Sequence, residues 1–319
     1  MSKQIDIAIE VRELGKVYEK RNSAPVRALN GISFLVRRGE IFGLLGPNGA
    51  GKTTTLKILT TLLQPTSGSA TLLGHDVVRE PLAVRKSICA VVQENAVELY
   101  LSVRNNFMTF GRFHGLSGKE TAMRADRVVD LFGLREYLSQ KAIDLSGGLK
   151  RRVQVAKMFI IDKPIVFLDE ATTGMDTFNK RATLNAIKEE SKRGRTIMLT
   201  THMLEEAEEL CTSIAIVNHG QIIASGSMQK VKSMGLRLYY LSLSFKRLTP
   251  RLLGFLQRVK PLRIESKGRS VEMTLRDEEA AFRVLTALKR TRALEHFEIT
   301  SASLEDVFVE LIDKRSAAA

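Results

Sequence analysis

The sequence predicts an α/β fold: a mostly parallel sheet with an antiparallel β subdomain, an inserted helical subdomain, and a small C-terminal α+β domain of ferredoxin-like pattern. Three observations predict it. Short apolar runs alternate with amphipathic stretches over the first two thirds of the chain, which implies a largely parallel sheet with both faces covered. Gly46–Thr54 reads GPNGAGKTT and fits G-x-x-x-x-G-K-[ST], a phosphate-binding loop that belongs between a strand and a helix. After about Ser233 the order becomes strand, helix, strand, strand, helix, strand, the ferredoxin-like sequence of elements.

Taken in order, Ile5–Leu14 and Ala28–Val36 read as strands linked by the polar segment Glu19–Pro25. A turn at Arg37–Gly39 leads into Ile41–Leu45, an apolar run that reads as a buried strand. Thr54–Leu63 reads as a helix with Leu56, Leu59 and Leu63 on one face. A turn at Pro65–Gly68, a strand at Ser69–Leu73, a short helix at Arg79–Lys86 and a strand at Ile88–Val92 ending in Gln93 follow. From Glu94 the character changes: Ser102–His114 and Lys119–Phe132 have helical periodicity, broken by Gly115–Gly118, and predict a helical subdomain over about 94–160. Phe107, Phe110 and Phe113 recur every third residue and are expected to pack inside it, a groove for a partner helix being the competing reading.

Ser146–Ile161 reads as a helix opened by a Ser–Gly–Gly turn, and Ile165–Leu168 as a short strand. Thr177–Lys192 reads as a helix, Thr196–Thr200 as a strand, Met203–Leu210 as an acidic helix. Ile214–Asn218 and Gln221–Ala224 read as strands around a His219–Gly220 turn. The boundary is expected at 235/236. Beyond it Arg237–Phe245, Leu262–Glu265, Val271–Leu275 and His296–Thr300 read as strands, Pro250–Val259 and Glu278–Lys289 as helices, with an amphipathic closing helix at Leu304–Ile312 and a disordered tail at Ser316–Ala319.

Composition excludes some classes. Apolar residues are 44% and charged residues 26%, ordinary for a soluble globular protein. No apolar run reaches about 18 residues, so no membrane-spanning segment is expected. The N-terminus lacks a signal-peptide shape. The two cysteines, Cys89 and Cys211, stand far apart without metal-ligand spacing and read as buried inert thiols in a reducing cytosol. The net charge of +14 fits nucleic acid, an anionic membrane face, or a merely solvated basic surface, and composition alone does not choose.

Three motifs carry chemistry. In the phosphate loop, Gly46, Pro47, Asn48, Gly49, Ala50 and Gly51 let successive amides converge on phosphate oxygens at a helix N-terminus, with Lys52 reaching the β- and γ-phosphates and Thr53 ligating Mg²⁺; Thr54 closes the motif. Ile165–Glu170, IVFLDE, is an apolar strand ending in two acids: Asp169 is expected to hold Mg²⁺ and Glu170 to act as general base on the attacking water. In Leu145–Leu149, LSGGL, the Ser146 side chain and the Gly147–Gly148 amides form a second anion site at a helix N-terminus.

Together these motifs resemble the nucleotide-binding subunit of ATP-binding cassette (ABC) proteins over about Ile5–Gly235. The fold class implied is a P-loop ATPase core. The resemblance implies ATP and Mg²⁺ as cofactors and a head-to-tail homodimer in which each ATP lies between one loop and the other subunit's signature. Leu149 stands where the family usually has glutamine, and Ala171 where it usually has proline. Gln93 resembles the glutamine that reaches Mg²⁺ and the attacking water. Asp176 in Thr172–Asp176 resembles the acid of the loop that crosses to the partner. His202 resembles the histidine that contacts the γ-phosphate, and Tyr18 the aromatic that stacks on adenine, though packing into the sheet competes for Tyr18. The C-terminal unit, with LEDVF at Leu304–Phe308, resembles the extension of drug- and polysaccharide-exporter ATPases, including the daunorubicin-resistance type.

The leading expectation is therefore the ATP-hydrolysing subunit of a transporter, most readily an exporter. It is expected to lie in the cytoplasm, peripheral on the inner face of the cell membrane, and to drive a separate multi-span transmembrane permease. The alternative is a soluble ABC ATPase acting on nucleic acid or ribosomes; one motif set, no long coiled-coil insertion and no zinc hook speak against it, and no specific nucleic acid partner is expected. A subunit that binds ATP without splitting it is a third class, and Glu170 with His202 argues against it.

Overall fold

The computed structural model describes residues 6–20, 23–91, 97–235, 238–289 and 293–316. The chain separates into two compact units, Met1–Met228 and Gln229–Ala319.

In the first unit, β1 (Ile7–Lys20) and β2 (Ser23–Arg37) form a long hairpin paired from Ile7–Arg37 to Lys20–Ser23. Both strands outrun their sequence-predicted lengths, and most of the expected link at Glu19–Pro25 is strand. Ladder hydrogen bonds belong to the backbone, so neighbouring strands keep pairing where the apolar alternation has ended. After β3 (Ile41–Leu45), α1 (Lys52–Leu59) stops short of Leu63 because Thr61 takes a φ of 64°, a left-handed conformation that does not continue a right-handed helix. Strands β4 (Ser67–Leu72) and β5 (His75–Asp76) complete an antiparallel sheet ordered β2-β1-β4-β5. Helix α2 (Pro81–Ser87) starts at Pro81, whose missing N–H is harmless in a first turn, and leads into β6 (Ile88–Val91).

The helical subdomain contains α3 (Val103–Phe113), α4 (Gly118–Leu131) and α5 (Gly147–Met158). Each begins the same way: the hydroxyl of Ser102, Ser117 or Ser146 accepts the amide three residues on, satisfying one of the orphan donors of a helix start. Phe107 is buried, but Phe113 is 85% exposed and Phe110 lies under the Lys157 ammonium, 5.1 Å from the ring centre. Steps of three residues drift about 60° around a helix, so the expected common burial of all three does not hold.

The chain then gives β7 (Ile165–Asp169), α6 (Thr177–Lys192), β8 (Thr196–Thr201), α7 (Leu204–Leu210), β9 (Ser213–Asn218) and β10 (Gln221–Ser227). The central sheet runs β10-β9-β3-β8-β7-β6, parallel throughout except for the antiparallel edge pair β9–β10. Strands β3, β7 and β8 are buried along their whole length, which matches the apolar runs IFGLL, IVFL and IML within them. Because β3, β7 and β8 run side by side in one direction, their carboxyl ends emerge along one edge, where ligands of open α/β sheets bind. The helical subdomain is tied to this core by an ionic trio around a buried carboxylate. Glu190 on α6 pairs with Arg127 of α4, and Arg195 Nε lies 3.1 Å from its other oxygen. Removing both arginines would strand a buried carboxylate and cost about 3–5 kcal/mol.

Helix α8 (Met228–Lys232) straddles the unit boundary. The second unit contains β11 (Tyr239–Phe245), α9 (Pro250–Arg258), β12 (Arg263–Lys267), β13 (Ser270–Leu275), α10 (Glu278–Lys289) and β14 (Leu294–Ser301). Its antiparallel sheet is ordered β12-β13-β11-β14, the ferredoxin-like arrangement. Alternation along β11 puts Leu241, Leu243 and Phe245 into a core with Leu256, Val284 and Leu288. Helix α11 (Leu304–Ser316) opens on a reciprocal cap: the Ser303 hydroxyl accepts the Asp306 amide at 3.2 Å, and Asp306 Oδ2 accepts the Ser303 amide at 2.8 Å. Ser316 ends that helix, and the remainder of the expected tail lies outside the described residues.

Candidate nucleotide site

The phosphate loop joins the carboxyl end of β3 to α1, and packing dictates its glycines. A Cβ on Gly46 would meet the Val217 carbonyl oxygen at 2.2 Å, and one on Gly51 would meet the Ala28 oxygen at 2.7 Å. Gly51, the residue before α1, holds a φ of 109°, open only to glycine at little cost. Pro47 accepts the Ala50 amide at 3.2 Å, which curls the loop, while Asn48 and Gly49 stand exposed at its tip. Lys52 is buried, and its ammonium donates to the carbonyls of Gly46 at 2.7 Å and Pro47 at 3.0 Å. Burial lowers its pKa, while the nearby carboxylates of Glu170 and Asp169 pull it back up.

Strand β7 delivers the acids to the same edge. Asp169 is fully buried; its Oδ2 lies 3.4 Å from the Thr53 hydroxyl, and its Oδ1 accepts from Thr200 on β8. Glu170 is the first residue past the strand and has a φ of 49°. A non-glycine residue in that region is strained, and backbone bonds hold it: its amide donates to the Thr200 carbonyl at 3.0 Å, and its carbonyl accepts from Arg151 at 3.1 Å. The Glu170 side chain meets His202 at the end of β8, with Oε1 and Nδ1 3.1 Å apart. Tyr18, on β1, is 36% exposed and not sunk in the sheet; its hydroxyl lies 3.4 Å from that of Thr54.

The structure thus brings Tyr18, the loop residues 46–54, Asp169, Glu170 and His202 together. Gln93 lies outside the described residues. Ser146, Gly147 and Gly148 form the capped start of α5, and among the described residues no hydrogen bond links them to the phosphate loop. Gly147 faces open space, whereas Gly148 packs against Met175, in the loop that ends at Asp176. Asp176 caps α6 through the Asn179 amide at 2.9 Å, and that bond lowers its pKa. Both cysteines are buried, and burial raises both thiols, Cys89 to about 12.

Two contributors escaped sequence reasoning. Thr200 reads only as the end of an apolar strand, TIMLTT, yet its hydroxyl holds Asp169. Arg151 reads as one cation among three after LSGGL, yet its guanidinium donates to the carbonyls of both Asp169 and Glu170. No group of three or more His, Cys, Asp or Glu that could hold a metal occurs among the described residues. Thr53 with Asp169 nevertheless suits Mg²⁺, which prefers one or two protein oxygens and takes its remaining ligands from phosphate and water.

Residues 29–173 match the family described as ABC transporter, and residues 226–312 match the C-terminal domain described as ATP-binding protein DrrA1-3-like. The daunorubicin/doxorubicin resistance ATP-binding protein DrrA of Streptomyces peucetius is 34% identical over 98% of this chain and 94% of its own length. The Nod factor export ATP-binding protein I of a Rhizobium species is 33% identical over 92% of this chain and 94% of its own. A solved ATP-binding subunit of an ABC transporter superposes with a TM-score of 0.63 at 27% identity, covering 71% of this chain and 92% of that one. No helix among the described residues is long and apolar enough to cross a membrane. Phosphate loop, paired acids, signature turn and full-length relatives converge: the chain belongs to the ATP-binding, ATP-hydrolysing subunits of the ABC transporter family.

Proposed function

We propose that this chain is the motor subunit of an exporter, with residues 1–235 as the ATPase domain and 236–319 as an accessory domain. The full-length likeness to one protein named for drug resistance and another named for export supports the direction. Two copies pair head to tail, so that the phosphate loop of one and Ser146–Gly148 of the other enclose each ATP. The motor drives a separate membrane-spanning permease, which places it at the inner face of the cell membrane, where its +14 charge suits anionic headgroups.

In this reading Lys52 and the loop amides hold the β- and γ-phosphates, and Tyr18 stacks on adenine. Thr53 and Asp169 would hold Mg²⁺, with Gln93 as a further ligand, and bound there it would supply charge neutralisation for the phosphates. Glu170 takes the proton of the attacking water. His202 orients Glu170 through the 3.1 Å contact and presents its other ring nitrogen to the γ-phosphate. Asp176 belongs to the loop that meets the partner.

The observation that carries the reading is the Glu170–His202 pair beside a buried Asp169 at the mouth of the phosphate loop. Replacing Glu170 by Gln should lower kcat by about 100-fold or more while fluorescent ATP still binds. Equal turnover by wild type and variant would remove Glu170 from its role.

A further inference from the structure

Three segments that share no motif converge on one carboxylate. Glu206 lies on α7, in the run LEEAEEL, and is 4% exposed. Its Oε1 accepts from the Thr172 hydroxyl at 2.5 Å and lies 3.0 Å from the Lys180 ammonium on α6. Its Oε2 accepts from the Thr201 hydroxyl at 3.5 Å, a long hydrogen bond. The Thr201 oxygen accepts the Met203 amide at 2.9 Å, and that turn encloses His202. Thr172 is two residues past Glu170. One buried acid therefore holds a flank of each member of the Glu170–His202 pair, whose side chains meet at 3.1 Å.

We infer that Glu206 is a positioning residue for ATP hydrolysis, setting the separation and aim of Glu170 and His202 without touching nucleotide. The inference rests on the hydrolytic role given to that pair above. Its chemistry is specific. The two hydroxyls and the ammonium around Glu206 all donate to it, and a carboxylate offers them acceptors only. Lys180 compensates the buried charge. Ala207 and Leu210, buried on the same helix, anchor α7, so the carboxylate is a fixed post and not a swinging arm. An amide in its place removes the negative charge facing the Lys180 ammonium and turns an N–H₂ toward one of the partners, which must reverse its bond if it is a hydroxyl and let go if it is Lys180. Displacing a reacting group by on the order of 1 Å is enough to lower a rate 100-fold.

The test is steady-state ATPase kinetics on the full-length protein with Glu206→Gln, Glu206→Asp, His202→Ala and the double variant Glu206→Gln/His202→Ala. Glu206→Gln should lower kcat about tenfold, with KM for ATP within about twofold, and Glu206→Asp, which keeps the acceptor-only head, should recover part of the loss. The double variant should fall no more than about twofold below His202→Ala alone, because both changes disable one unit. Wild-type kcat in Glu206→Gln, or losses that multiply in the double variant, would overturn the inference. If His202→Ala keeps full kcat while Glu206→Gln loses it, the role given to His202 fails and the inference stands through Glu170. If neither substitution lowers kcat, both fall.

Discussion

Two glycine-rich turns open helices in the first unit, and they are built on opposite plans. The phosphate loop before α1 is finished within the chain: Gly46 and Gly51 are hemmed in by backbone and side chain from β9 and β2, and Lys52 is buried against the loop's own carbonyls. No side chain caps α1. The signature turn before α5 has its cap in Ser146, but Ser146 and Gly147 are exposed, and a Cβ on Gly147 would find nothing within 4 Å. One turn is a completed cradle. The other is a half-site, shaped and capped but open toward whatever lies outside the chain, which is what a sandwich of two copies requires.

The contrast can be broken at several points. Lys52→Ala should lower affinity for labelled ATP about 100-fold or more, and unchanged affinity would deny the cradle its cation. Gly46→Ala comes next: the added methyl cannot clear the Val217 carbonyl, so nucleotide binding and thermal stability should fall together, and a variant with wild-type melting and affinity would show the loop to be loosely packed. Gly147→Ala, whose methyl meets nothing within 4 Å, should leave melting and single-chain nucleotide affinity unchanged and, on the proposed pairing of two copies, lower ATPase about tenfold. Full ATPase would mean that nothing docks there. Ser146→Ala removes the cap of α5 and should cost about 1 kcal/mol, read as a melting shift of about 2–4 °C.

The same contrast explains what was legible in the sequence. The core strands were, because β3, β7 and β8 are buried on both faces and carry apolar runs, IFGLL, IVFL and IML. The cradle was, because glycine and lysine at those spacings have few other uses, and the acids were only in its company, because an apolar run ending in carboxylates is common by itself. Glu206 and Glu190 were not. Each sits among neighbours of its own kind, in LEEAEEL and in KEESK, and only the fold decides which acid of a helix turns inward. Thr200 was hidden for the converse reason, a hydroxyl at the end of an apolar strand. The hairpin β1–β2 was underestimated because side-chain patterns say little about where backbone pairing stops.

Among the described residues, Glu170 is the acid of this edge that sits in the left-handed backbone region, pinned by Thr200 and Arg151. A glycine there would relax the main chain and should let the fold survive more heat, while abolishing turnover. Screening for thermal endurance alone would therefore tend to erase the residue to which the hydrolytic role is assigned, and any hardening of this protein has to be selected together with its activity.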